Sequence, residues 1–410
     1  MKKELSISLI FYVLLTTVNA QVLRLDSVLS RIEKNNPALL SYTNKINSAN
    51  EMVNGAKSWM PPMVGTQLGD NPYSFDFSTN TYQLMIFAQQ DIPNGKKLVA
   101  KENYMKSFAT IKGNEYSYWK NQFFAHAKEK YYERYVTEKK IKVLKDNVSL
   151  MQNMIKISEK QMATGMGDLG SIYKMKARLA DVQSMLIHEE NMVKSLTLEM
   201  NYLMNADLNQ QFSLDTNNLI KDYKNIPMLG SKDALEKRSD IQKMNSEISS
   251  MKLNQTLTAM QSKPDYSTRF EHSAVMNGMS TYAVMFSMTI PIVSWSSKGY
   301  KSEVKAMDFS IHAMEQDKQS MINMANQMVN MLILELNSEY AEIENYTKNV
   351  IPAYKKSFDA NLLAYSQNTG DLMKVILAWD DLQMAQMEYL KHLGVLLKAQ
   401  AEYEREMEIR

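Results

Sequence analysis

The sequence predicts a mainly helical chain with β-hairpins, built as two repeats of helix, β-hairpin, long helix, turn and helix. Three observations carry this. Lys97 to about Gln161 holds one glycine (Gly113), no proline, and apolar residues at helical spacing such as Leu144, Val148, Met151 and Ile155. Lys298 to Tyr365 does the same again, interrupted at Pro352. Ahead of each long helix lies an alternating stretch that closes on Ile-Pro, at Ile92-Pro93 and Ile290-Pro291. A continuous helix of this size rises on the order of 100 Å, whereas an average globular helix has only ~11–12 residues. A long helical assembly is therefore expected rather than a compact globule.

Composition narrows the function. The net charge of +2 over 410 residues gives no case for a nucleic-acid partner. Cysteine is absent, which removes disulfides, thiolate metal sites and thiol nucleophiles together. Five histidines leave little for a metal or triad site. No Gly-rich phosphate loop, Ser/His/Asp set or paired catalytic carboxylates stands in a plausible context, so no enzyme, cofactor or metal site is expected.

Residues 1–20 read as a secretory signal: Lys2 and Lys3, then an apolar run from Leu9 to Val18, then Ala20 before Gln21. The run is shorter than the ~20 residues of a membrane-spanning helix. No later segment reaches that length, so any span must be made of strands.

The first repeat is expected over 21–206. Leu25 to Trp59 reads as a helix, with Pro37 where a helix tolerates proline or restarts and Pro61-Pro62 as its terminator. Strands follow at about 62–70 and 81–91, with Leu84, Ile86 and Ala88 on one face and Gln83, Met85, Phe87 and Gln89 on the other. The long helix runs over 97–162 to a glycine-rich turn at 163–170. A helix returns with Ile172, Met175, Leu179, Val182 and Leu186 at coiled-coil spacing. A polar connector spans 207–232.

The second repeat, 233–410, has strands at about 265–275 and 281–290 around the hairpin turn Asn277-Gly278. Its long helix covers 298–365 and its tip turn 366–371, with a final helix to about Met407. Pro352 should kink this long helix or mark a girdle there. Gly167-Asp168-Leu169 aligns with Gly370-Asp371-Leu372, 203 positions later.

The third strand places Asp265, Arg269 and Glu271 opposite Tyr266, Phe270 and Ala274. Strands can cross lipid only as a closed barrel, and a tilted span takes about 9–11 residues. Four strands are too few to enclose a lumen, so closure needs several chains. Aromatics near the strands, including Trp59, Tyr73, Phe75, Phe77, Tyr82, Tyr282 and Trp295, resemble an interfacial girdle.

Four motifs make the chain similar to the TolC-type outer membrane factors, over essentially the whole length after the signal. They are Asn36-Pro37-Ala38-Leu39; Ala234-Leu235 with Arg238-Ser239-Asp240-Ile241, where Ser239 stands in place of the family's proline; the Ile-Pro hairpin ends; and the turns at Gly165 to Leu169 and Tyr365 to Leu372, where Asn368 replaces the usual glycine. The resemblance implies a homotrimer with a 12-stranded β-barrel in the outer membrane and an α-helical tunnel in the periplasm. It implies partners too: a periplasmic adaptor protein, an inner-membrane pump of RND or ABC type, and outer membrane lipid. The implied role is the exit duct of a tripartite efflux system. A type I protein-secretion duct, a copper or silver efflux duct, and a secreted coiled-coil scaffold remain the alternatives.

Candidate site residues lie at the tips. Asp168, Asp371, Asp380 and Asp381 could ring an entrance and favour cations. Asp168 and Asp371 could equally be helix caps. From the resemblance, Gly165, Gly167, Leu169, Asn368, Gly370 and Leu372 are the adaptor-docking positions. Met321, Met324, Met328 and Met331 share one helix face, Met276 and Met279 flank a hairpin turn, and Met60 and Met63 flank a proline pair. Thioethers suit Cu(I), but a stripe of this spacing reads first as packing.

Overall fold

The computed structural model describes residues 21–69, 83–163, 165, 167–228, 235–275 and 278–409. The signal segment, Tyr73, Phe75, Phe77, Tyr82, Ala234, Met276 and Asn277 lie outside them, as does the end of the connector.

The chain divides into two compact units. The first takes residues 1–32, 127–221 and 342–397; the second takes 33–126, 222–341 and 398–410.

In the first unit, β1 (Gln21–Leu23) pairs parallel with β4 (Phe212–Leu214), with Val22 opposite Ser213. Neither strand is expected from the sequence; three residues are too few to show a period. The pair is anchored by two side chains of the first long helix. The Tyr131 hydroxyl donates to the carbonyls of Leu23 (2.8 Å) and Asp215 (2.7 Å), and Arg134 donates to that of Phe212 at 2.6 Å. Burial pushes the Tyr131 hydroxyl up to about 12. A core of this unit joins four helical segments: the end of α3 (Gly95–Ala163), α4 (Leu169–Leu203), α7 (Ile351–Ser366) and α8 (Leu372–Glu406). Leu144, Met151, Met175, Val375 and Trp379 are buried at its centre.

The second unit holds the sheet. Its order is β2 (Met63–Gly69), β3 (Gln83–Ile92), β5 (Tyr266–Val275), β6 (Thr281–Met288), all antiparallel, with β2 and β6 as the edges. The register sorts the side chains. Thr66 faces Ile86, Ile86 faces His272, and His272 faces Tyr282 across the four strands. One face therefore carries Val64, Leu68, Leu84, Ile86, Phe270 and Val284, all exposed. The other carries Gln67, Gln89, Arg269, Glu271 and Ser287. On it the Arg269 guanidinium lies 3.8 Å from the Phe87 ring centre and 3.0 Å from Glu271.

The N-terminal helix differs from expectation in two ways. It is two helices, α1 (Leu25–Asn35) and α2 (Pro37–Asn54), because the Asn36 side chain caps a new start by accepting from the Ala38 amide at 3.0 Å. It also ends at Gly55, well before Pro61-Pro62, so the prolines do not terminate it. In α5 (Ser239–Ala259) the first residue is tied to the C-terminus: the Ser239 amide and hydroxyl both donate to Glu408, at 2.7 and 2.6 Å. Arg238 meets Asp240 at 2.9 Å and also Glu406. Burial alone would lower the Arg238 guanidinium, but its bonds to Asp240 and Glu406 outweigh that and raise it.

The second long helix is α6 (Ser294–Asn345) followed by α7. Its regularity fails where Pro352 requires it to. Residues Tyr346–Val350 form a π turn, and the Ile351 amide bonds Tyr346, five residues back. A π turn absorbs the missing proline N–H without breaking the helix. Among the described residues no helix is long and apolar enough to cross a membrane.

Candidate functional site

The two turns of the first unit are stabilised differently. In the first, Gly165 adopts φ +79, a left-handed conformation that glycine alone reaches without cost. Asp168 then caps α4. It accepts from the Ser171 hydroxyl (2.7 Å), the Ser171 amide (2.8 Å) and the Gly170 amide (3.2 Å). These bonds, the Ser171 hydroxyl first, hold its carboxyl below the usual aspartate range.

In the second turn the left-handed position is Asn368, φ +57, and the Thr369 amide closes back on Ala364 at 2.9 Å. Asp371 accepts from the Met373 amide at 2.9 Å. The turns are tied together. Gln161 donates to Asn368 (2.9 Å) and to the Tyr365 carbonyl (3.3 Å), and the buried Tyr365 hydroxyl donates to Ser158 at 3.0 Å. The two expected docking leucines are not equivalent: Leu169 is 47% exposed and Leu372 is 5% exposed.

Further along, Trp379 is buried and donates to Asn147 at 3.0 Å. Asp380 accepts from Arg178 at 3.1 Å, joining α8 to α4. Arg178, Asp380, Trp379, Met185 and Gln383 line a cavity of about 320 Å³.

No protein-family model matches the chain, and no curated protein does. Solved structures do. The CmeC outer membrane channel of Campylobacter jejuni superposes with TM-score 0.77 at 13% identity, covering 93% of this chain and 85% of its own. The outer membrane protein VceC of Vibrio cholerae gives 0.73 at 12%, covering 93% and 95%. The MtrE outer membrane channel of Neisseria gonorrhoeae, in its open state, gives 0.72 at 12%, covering 94% and 88%. The chain has the fold of the TolC-type outer membrane factors. At these identities the likeness carries the fold alone.

Within that TolC-type fold the four aspartates part company. Asp168 and Asp371 sit on backbone amides as caps. Asp380 is an ion-pair partner. Asp381 is exposed and makes no hydrogen bond or ion pair among the described residues. Arg178 was missed in the sequence, although a signal existed: it lies 202 positions before Asp380, nearly the repeat offset, which puts the two at matching heights on equivalent helices. On the methionine face, Met324, Met328 and Met331 are 67%, 42% and 56% exposed, whereas Met321 is half-buried.

Proposed function

We propose that the chain is an outer membrane exit duct of a tripartite efflux system, acting by passage and without chemistry of its own. The observation that carries this is the four-stranded sheet. One face is mainly apolar and exposed, the other carries Arg269 and Glu271, and among the described residues the outer sides of both edge strands are unpaired. Three copies joined edge to edge would give a closed 12-stranded barrel with no free backbone groups facing lipid. The likeness to outer membrane channels supports this reading. The helices would form the periplasmic tunnel, the turns would meet an adaptor protein, and an RND- or ABC-type pump would supply cargo. The Arg178–Asp380 pair and the free Asp381 are the gate candidates, with Asp168 and Asp371 holding the turns in shape. Reconstitution in planar bilayers is the test. Discrete channel openings are expected, and a protein that stays soluble without detergent and leaves the bilayer silent would show a scaffold instead.

A further inference from the structure

The described strands hold two glycines, and both lie in β2. Register puts them on the face that carries Arg269 and Glu271, with Gly65 opposite Phe87 and Gly69 opposite Gln83. A β-carbon at Gly65 would stand 2.6 Å from Phe87 Cζ, and one at Gly69 would stand 2.7 Å from Met85 Cε. Each glycine is therefore roofed by a large apolar side chain that reaches across from β3. Met85 and Phe87 are half-buried as a result, while Leu84, Ile86 and Ala88 on the other face of the same strand are exposed. The stack over Gly65 has a further layer. The Arg269 guanidinium lies over the Phe87 ring, 3.8 Å from its centre, and pairs with Glu271 at 3.0 Å. Its Nε is buried without a hydrogen-bond partner. Two glycines weaken a strand of seven residues, and such glycines mark a close approach. A ring laid over a glycine returns part of that stability, but alanine or valine beneath an upright ring would weaken the strand less.

We propose that Gly65 and Gly69 are positioning residues for passage: they let Phe87 and Met85 lie flat against the wall and so keep the bore of the barrel open. The inference rests on the duct reading above, in which this face of the sheet lines the lumen. Barrel diameter grows with strand number. About eight strands leave an interior that side chains fill, and about 16–18 leave an aqueous channel. Three copies of a four-stranded sheet fall between these, so the posture of the inward side chains decides what passes. A side chain at position 65 would lift the Phe87 ring off the wall, and Arg269 with it. Three copies would then set three rings and three guanidiniums at one height, as a collar in the lumen. The atoms met at both glycines are the far ends of side chains rather than backbone, so the ring or thioether yields and the sheet keeps its register. The cargo that depends on these glycines is accordingly bulky: solutes near the width of the lumen, whatever their charge.

The test is planar-bilayer recording of the full chain, with the bore sized by neutral polyethylene glycols of graded mass. Gly65→Val lowers the single-channel conductance and excludes the largest polymer that enters the wild type. In a Phe87→Ala background the same substitution changes neither, because the ring it displaces is gone. Val64→Phe, on the apolar face opposite Ala88, is the control and leaves both unchanged. If Gly65→Val forms no channels, Gly65→Ala takes its place, since its single methyl meets the same ring. An exclusion limit unmoved by the Gly65 substitutions overturns the proposal. An equal loss with and without Phe87 also overturns it, because the effect then belongs to the sheet as a whole. A wild type that never conducts overturns the duct reading and this inference together, whereas a conducting wild type with insensitive Gly65 variants overturns this inference alone.

Discussion

Asp168 accepts three hydrogen bonds at the start of α4, and a carboxylate placed so is both a cap and a pH-sensitive one. Its folded pKa lies below the unfolded value, so its contribution is complete at neutral pH and is lost as pH falls through the folded pKa, beneath the usual ~3.9. Asp168→Ala is expected to lower the melting midpoint at pH 7, and the gap to wild type should close in strong acid. Glu335 works in the opposite sense. Desolvation, then the charges of Glu402 and Glu339, raise its pKa. A carboxyl raised in the folded state costs stability above the usual glutamate range, ~4.3, and nothing below both values. Glu335→Gln should therefore stabilise at pH 7 and be neutral near pH 3, as read by thermal melts at the two pH values. The sequence marked Asp168 by its place after a turn glycine; of the causes at Glu335 it shows only Glu339, four residues on, because the burial and the charge of Glu402 come from packing against α8.

At the scale of elements, what a period can show was legible. The long helices and the four strands announce themselves by spacing 3.6 and 2, and Asn368 declared itself as the residue standing where glycine is usual. What lacked a period was hidden. The strand pair β1–β4 is three residues long on each side and depends on Tyr131 and Arg134, more than 100 positions from one strand and nearly 80 from the other. The early end of α2 was hidden too, since Pro61-Pro62 shows only where a helix cannot continue. Ser239 is the clearest case of a departure with a reason. A proline at that position fits a first helical turn, yet it would remove both donors to Glu408. Ser239→Pro is expected to destabilise by about 1–3 kcal/mol, the cost of stranding those partners, and Ser239→Ala by about 1 kcal/mol. Denaturant unfolding of the purified chain measures both.

At the scale of the whole molecule, the proposed function requires assembly. The exposed methionines of α6 and the exposed, mainly apolar face of the sheet leave apolar surface open among the described residues. Lipid and neighbouring copies would cover them in the proposed duct. Opening would then act on the tie between α4 and α8. Arg178→Ala and Asp380→Asn are each expected to raise single-channel conductance. The double variant should do no more than either alone, because both remove one interaction. Whether the four strands are one third of a barrel can be tested by crosslinking, because the chain has no native cysteine. A single cysteine at Val284 in β6, combined in turn with cysteines along β2 from Met63 to Gly69, reports pairing between edges of different copies. In membranes, disulfide crosslinks are expected at alternating β2 positions, in a ladder that stops at three chains. No crosslink between β2 and β6, or a ladder that runs past three, would contradict it.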